Sequence, residues 1–264
     1  GRYSTDALAS ASFVNNLFNV AIFCCIGFTY GLTPLAGSLF GRKQFKEIGA
    51  VMRTGLWLNI AFSLLVISVM TAIYFNVDRL GQPAHLLPLI RPYFLIYLAG
   101  MLPVTVFNVF AQWSYGINNT RLPMWIILAA NVVNVIGNYV LIYGHLGAPE
   151  LGLTGAGIST LFARLICPVA IMAFFFLKRS NRPYRDGWRE SRVNTKMLRR
   201  IFTISLPVSM QMTFESGSFS FAAIMTGWLG AIPLAAFQIV VIVGTLGFCV
   251  YYSISSAVTI LVAN

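Results

Sequence analysis

Charged residues are scarce in this sequence, and their scarcity excludes most soluble folds. Only 9% of the 264 residues are Asp, Glu, Lys or Arg, against about 25% in soluble domains, whereas 58% are hydrophobic. These four residue types are absent from several segments that are each longer than the ~20 residues a helix needs to cross a bilayer, among them 7–41, 54–77, 92–120 and 122–149. We therefore expect an all-α polytopic membrane protein.

Patterns for metal binding and nucleotide binding are also missing. The four cysteines, Cys24, Cys25, Cys167 and Cys249, lie in apolar stretches without a Cys-x-x-Cys pair or a histidine at ligand spacing. A zinc site or a disulfide framework is therefore not expected. No glycine-rich loop ends in Lys-Ser or Lys-Thr, so nothing supports coupling to ATP. We expect no enzymatic activity and no bound cofactor.

The apolar pattern predicts seven membrane spans. Backbone groups in lipid have no water to bond, so each span is expected to be a helix. The spans, labelled A to G, are 10–38, 54–76, 92–115, 122–144, 152–177, 200–226 and 232–262.

The distribution of basic residues predicts the orientation. The formal net charge is +11, and the loops after spans A, C and E carry +3, +1 and +7, whereas the loops on the other face sum to zero. Cytoplasmic loops are enriched in Lys and Arg. Gly1 is therefore expected outside and the 178–199 segment in the cytoplasm.

We expect this segment, with Trp188 among arginines, to be an amphipathic linker on the inner leaflet with no nucleic-acid role. Gln112, Trp113 and Tyr115, at the end of span C, are expected in an interfacial aromatic belt.

A weak internal repeat predicts two similar halves. The segments that begin at Gly1 and Gly227 match at four positions with a constant offset of 226 residues, and each precedes a long uncharged helix. Parallel halves with an even number of spans are a transporter architecture with the binding site between the halves. We therefore expect the chain to be a fragment of a protein of about twelve spans.

Several motifs together resemble the multidrug and toxic compound extrusion (MATE) family, in its NorM-type branch of bacterial drug-efflux proteins. The motifs are GR-x4-ALA at the start, LGQP at 80–83, YGINNTRLPM at 115–124, GLTGAGIST at 152–160, LPVSMQMTFESGSF at 206–219 and LAAFQ at 234–238. The resemblance implies helices 2 to 8 of twelve. Residues 1–177 would then be helices 2–6 of the N-terminal half, 178–199 a basic cytoplasmic linker, and 200–264 helices 7 and 8 of the second half.

Glu215 is the strongest candidate for a functional residue, because it is an acid within predicted span F. A charge at mid-membrane costs about 2.5 to 3.5 kcal/mol on insertion scales, so such residues usually face a bundle interior or a water-filled cavity. Pro207, eight residues earlier, is expected to loosen the helix. The resemblance implies a cation-coupling and drug-binding acid at this position. The alternative is a structural acid paired with a base such as Arg164.

Other polar residues within the spans are secondary candidates. Asn131, Asn134 and Asn138 form one stripe at helical spacing, which suits either cavity polarity or bonds between helices. Asn15, Asn16 and Asn19 in span A are open to the same two interpretations. Gln238 matches a family position near the central cleft, with bonding between helices as the alternative. Arg164 is expected to be a structural buried charge paired within the N-terminal half.

The resulting functional prediction is a secondary antiporter of the inner membrane. It would act as a monomer and export bulky, often cationic, organic compounds by alternating access, driven by Na⁺ or H⁺. One alternative is a flippase of lipid-linked oligosaccharides from the same superfamily, although such proteins tend to keep several cationic residues in their cavity. A seven-helix receptor is the other alternative, but no Asp-Arg-Tyr closes span C and no Asn-Pro-x-x-Tyr occurs in span G.

Overall fold

The computed structural model describes residues 5–79, 84–144, 147, 149–191, 194–228 and 231–263, and these residues form α-helices joined by short turns. No strand occurs in these ranges, which confirms the all-α prediction. The helices are α1 (Thr5–Thr29), α2 (Leu32–Gly41), α3 (Phe45–Phe75), α4 (Leu87–Gly116), α5 (Arg121–Tyr143), α6 (Gly152–Leu177), α7 (Arg182–Glu190), α8 (Thr195–Trp228) and α9 (Ala231–Ala263).

Six segments of the described chain are long and apolar enough to cross a membrane, one fewer than the sequence predicts. They are Ser10–Gly41, Phe45–Phe75, Leu87–Gly116, Arg121–Tyr143, Gly152–Leu177 and Ile239–Thr259. Predicted span F is contained in the 34-residue helix α8, which is not among the six. Its sequence explains the difference, because five serines, Gln211 and Glu215 make 205–220 more polar than the other spans.

Predicted span A is interrupted rather than continuous. Helix α1 ends at Thr29 and α2 begins at Leu32. Pro34 has no N–H to donate to the carbonyl of Tyr30, four residues earlier. The backbone N–H of Thr33 instead donates to this carbonyl at 3.3 Å, which tightens the turn. Pro34 thus divides one membrane crossing into two helices.

Two apolar clusters hold the bundle together. One joins α1, α3 and α4 through fully buried Phe18 and Phe94, whose ring centroids lie 4.7 Å apart. The other joins α2, α3, α4 and α6 around Trp113 and Phe175, with centroids 4.9 Å apart. Lipid is as apolar as these side chains, so their packing stabilises the bundle mainly through close contact.

The end of α4 differs from the expected aromatic belt. Trp113 is fully buried, and Gln112 is 4% exposed. The Thr33 hydroxyl donates to the Gln112 side-chain oxygen, which links α2 to α4. The prediction for these two residues was wrong, because the protein core covers them more completely than a membrane interface would.

Helix α7 is docked on the bundle rather than spread on lipid. Its Trp188 stacks on Phe110 of α4 with centroids 5.9 Å apart and also contacts Phe175 and Phe176 of α6. Burial raises the pKa of Tyr184, on the same helix. The apolar face assigned to the inner leaflet therefore packs against protein.

Candidate functional site

Glu215 lies well inside helix α8, about 30 Å from its start at ~1.5 Å per residue. Its side chain is half-buried. Among the described residues it has no hydrogen bond and no ion pair, so the alternative interpretation, a structural pair with Arg164, is not found. Pro207 lies within the same helix and removes one backbone donor two turns before the carboxylate. A half-buried carboxylate without a counter-charge can accept a cation or a proton.

Helix α8 packs against α1 through small residues. The Ser209 hydroxyl donates to the backbone carbonyl of Cys24 at 2.8 Å. A Cβ atom on Gly27 would lie 3.0 Å from the Ser209 Cα, and one on Gly31 would collide with Ser205. Ser205 of α8 thus faces Gly31, and Ser209 faces Gly27. Moving four residues forward along α8 corresponds to moving four residues backward along the segment that contains α1. The two helices are therefore antiparallel and closely packed.

The register of this contact relates Glu215 to the asparagines of α1. By the same count, Glu215 is level with Ala21, and Asn19, two residues before Ala21, is level with Gly217. Asn19 is exposed. Asn15 is half-buried and interacts with the Tyr93 hydroxyl of α4. Within the described residues no hydrogen bond joins either asparagine to Glu215, so the structure does not bring them together with it.

One of the three asparagines of α5, Asn134, bonds to α6. The Asn134 amide donates to the hydroxyls of Ser159, at 3.4 Å, and Thr160, at 3.3 Å. The Asn138 amide donates to the Asn134 side-chain oxygen at 3.2 Å. Asn131 is exposed. These contacts match the helix–helix alternative for Asn134, whereas Asn138 bonds within α5, and its side-chain oxygen is buried without a partner among the described residues.

Arg164 lies on α6 against an aromatic surface. Its guanidinium carbon is 4.6 Å from the ring centroid of Tyr97, a cation–π arrangement. A Cβ atom on Gly100 would lie 3.0 Å from the Arg164 Nη1, so this glycine leaves room for the side chain. Within the described ranges Arg164 makes no ion pair. Its partner in the N-terminal half is therefore a tyrosine ring.

Gln238 belongs to helix α9, but its side chain lies outside the described residues. The repeat also starts at a residue outside them, Gly1, and stays a prediction. Glu215 thus stays the candidate functional residue, on the helix that packs against α1 through Ser205 and Ser209.

A buried polar connection between α1, α3 and α4 was not predicted. The Thr105 hydroxyl donates to the Ser63 hydroxyl at 3.1 Å, and the Cys25 thiol lies 3.9 Å from the same oxygen. Cys25, Ser63 and Thr105 are small and lie in mostly apolar stretches, so residue type did not set them apart. The one sequence feature that could have indicated their burial is helical spacing. Ser63 lies four residues after Asn59, and Thr105 lies four residues after Met101, and both of these preceding residues are also buried.

Comparisons with known proteins agree with the fold. A family model described as MatE matches residues 1–140, and one described as lipid II flippase MurJ matches residues 89–226. The chain is 30% identical over 264 residues to the probable multidrug resistance protein NorM of Bradyrhizobium diazoefficiens, covering all of this chain and 57% of that protein. It is 29% identical to the multidrug resistance protein MdtK of Klebsiella pneumoniae, covering 98% of this chain and 57% of that protein.

A solved structure is also similar. The crystal structure of a MATE protein in the bent conformation superposes with a TM-score of 0.80 at 21% identity, covering 98% of this chain and 56% of that chain. The chain thus spans a little over half the length of the proteins it matches. The two relatives are multidrug resistance proteins rather than enzymes.

Proposed function

Because the chain belongs to the MatE family, we propose that it works as a secondary antiporter that exports bulky organic, often cationic, compounds in exchange for Na⁺ or H⁺. The names of the NorM and MdtK relatives support multidrug efflux. The observation that carries the proposal is Glu215, a half-buried carboxylate on α8 with no counter-charge among the described residues.

A single carboxylate can couple two fluxes by competition. A bare charge at mid-membrane depth costs about 2.5 to 3.5 kcal/mol, so the protein reorients more readily when a cation neutralises Glu215. Either a coupling ion or a cationic drug can neutralise the carboxylate of Glu215, but the two cannot bind to it at the same time. Each outward movement with drug is therefore followed by a return with Na⁺ or H⁺, which is alternating access.

The proposed setting is the inner membrane, with the 178–199 linker in the cytoplasm and Gly1 outside. The charge asymmetry of the loops supports this orientation. The partners are small organic molecules and the lipid bilayer, and we propose that the protein acts as a monomer. No cofactor is required, because the ion gradient supplies the driving force.

A lipid-linked oligosaccharide flippase is the second candidate. The match of the MurJ model to residues 89–226 favours it. A pyrophosphate carrier needs a cluster of cations in its cavity, and Arg164 is the one basic residue in the interior of the predicted spans, since Arg200 only begins span F. This charge inventory supports drug efflux more strongly than lipid transport.

Substituting Glu215→Gln tests the antiporter. The amide fills the same volume and removes a costly charge, so the fold is expected to persist. Efflux of a fluorescent organic cation from vesicles, driven by an imposed Na⁺ or H⁺ gradient, is expected to stop. Glu215→Asp is expected to keep part of the activity, because the charge stays but retreats by one methylene.

A matched control is Glu150→Gln, the same substitution at an exposed acid outside the helices. It is expected to pump at the wild-type rate. A stable Glu215→Gln protein that still exports the cation would exclude this carboxylate from coupling. Export of a lipid-linked saccharide by both variants, with no drug efflux by either, would favour the flippase.

A further inference from the structure

A groove lies between α5 and α6, away from Glu215 and from the α1–α8 contact. Its cavity volume is about 510 Å³. Trp125 and Ile126 line it from α5, and Ile166 and Phe174 line it from α6. The Trp125 side chain is 65% exposed. This wall is apolar and open to the surroundings of the bundle.

Two cations stand at one end of the groove. Arg121 is the first residue of α5, and Lys178 follows the last residue of α6. Both line the groove and are exposed. Neither has a carboxylate partner within the described part of the chain. The Lys178 ammonium lies 4.6 Å from the ring centroid of Phe174, which holds it above the apolar wall.

The N-terminus of α5 adds positive potential at the same end, where Lys178 offsets the negative C-terminus of α6. No side chain caps the N-terminus of α5, and Asn119, two residues before this helix, also lines the groove. Free N–H groups in the first turn of a helix favour an anion. This end of the molecule also carries the basic 178–199 linker, so by the charge asymmetry it faces the cytoplasm.

The dimensions of the groove fit one leaflet. Its lining extends from Arg121 to Ala129 on α5, and from Lys178 to Ile166 on α6. At ~1.5 Å per residue these distances are about 12 and 18 Å. Half of a bilayer's hydrocarbon core is about 15 Å. An acyl chain that starts beside the two cations would therefore end near mid-membrane, where the groove ends.

We propose that this groove binds one anionic phospholipid of the inner leaflet. Arg121 and Lys178 hold its phosphate, and an acyl chain lies along Trp125 and Phe174. A headgroup without an amine, such as phosphatidylglycerol or cardiolipin, suits the site, since a choline or ethanolamine group would bring a third positive charge to the two cations. Basic pockets between membrane helices on the cytoplasmic side commonly bind such lipids. The inference does not depend on the transport function.

Quenching of Trp125 fluorescence by brominated acyl chains tests the proposal. The full-length protein is reconstituted in phosphatidylcholine vesicles that contain brominated phosphatidylglycerol or, in parallel, brominated phosphatidylcholine. The difference between the parent and Trp125→Phe isolates the signal of this tryptophan. Brominated phosphatidylglycerol is expected to quench Trp125 at lower mole fraction than brominated phosphatidylcholine.

Charge variants identify the cations responsible. Arg121→Gln with Lys178→Gln is expected to reduce the preference for phosphatidylglycerol about 25-fold, since each surface cation contributes about fivefold. Arg42→Gln with Arg199→Gln removes two exposed charges that do not line the groove, and is expected to retain the preference. Equal quenching by the two lipids would overturn the proposal. An equal loss in both double variants would also overturn it, because the preference would then come from the overall surface potential.

Discussion

At the scale of single residues, glycines decide how closely α7 approaches α3. A Cβ atom on Gly187 would collide with the backbone of Lys46, and one on Gly49 would collide with the backbone of Tyr184. The obstructing atoms are main-chain carbonyls, which cannot rotate away as a flexible side chain can. The two helices are therefore in backbone contact, and larger residues at these positions would separate them.

Gly187→Ala is consequently expected to lower the free energy of unfolding by about 3 kcal/mol, at the upper end for overpacking. Gly217→Ala on α8 is the matched control, because a Cβ there meets no atom within 4 Å. In a helix interior that change is expected to stabilise by about 0.5–1 kcal/mol. Thermal unfolding of the purified protein compares the two. Similar melting temperatures for both variants would argue against the backbone contact.

Residue type alone predicted some of these roles and not others. Glu215 was identifiable because an acid in an apolar stretch is rare and needs a reason. The bonds of Asn134 to α6 were one of two open interpretations, since helical spacing places the α5 asparagines on one face without naming the facing helix. The role of Gly187 was not predictable, because a glycine's neighbours depend entirely on how distant helices meet.

At the scale of elements, the charge-free segments predicted most helices but not their details. Spans B to E correspond to α3 to α6, although α3 begins at Phe45, nine residues before the predicted start at 54. The pattern could not show that α3 extends past the apolar region, because Ile48, Val51 and Met52 are buried against protein rather than lipid. Similarly, the amphipathic pattern of α7 indicated an apolar face without indicating what would cover it.

Arg53 fixes α7 by its C-terminal end. Its Nη1 donates to the carbonyl oxygens of Trp188 at 3.1 Å, Arg189 at 3.4 Å and Ser191 at 2.6 Å. A cation at this end also complements the helix dipole. Lys46 reaches the same helix differently, through a 3.1 Å ion pair with Glu190 in which both side chains are 65% exposed.

These contacts predict unequal effects of removing the two cations. Arg53→Gln is expected to cost about 2 kcal/mol, because the carbonyls lose a charged donor. Lys46→Gln is expected to change stability by less than about 1 kcal/mol, since exposed ion pairs contribute little. Hydrogen exchange of the α7 backbone amides measures both. Faster exchange in the Lys46 variant than in the Arg53 variant would show that α7 is held by its ion pair instead.

At the scale of the whole molecule, the contacts of α8 link the two predicted halves. This helix begins the second half, yet its closest packing is with α1 of the first, through Gly27 and Ser209. Helix α7 lies between the halves in sequence and is docked on the first. If the two halves move relative to each other during transport, the backbone would therefore have to bend in the short segment between the end of α7 at Glu190 and the start of α8 at Thr195.

Orientation in the membrane decides which way such a cycle runs, and single-cysteine labelling measures it. In a full-length background with Cys24, Cys25, Cys167 and Cys249 replaced by alanine, Lys196→Cys and Glu150→Cys introduce one exposed thiol at opposite ends of the bundle. The loop charges of +7 over residues 178–200 and −1 beside Glu150 favour a cytoplasmic Lys196. An impermeant thiol reagent added to intact cells is therefore expected to label the Glu150→Cys protein and to leave the Lys196→Cys protein unlabelled until the cells are opened. The reverse pattern would invert the direction of export and would also move the Arg121–Lys178 groove to the outer leaflet, so one measurement tests the orientation on which both proposals depend.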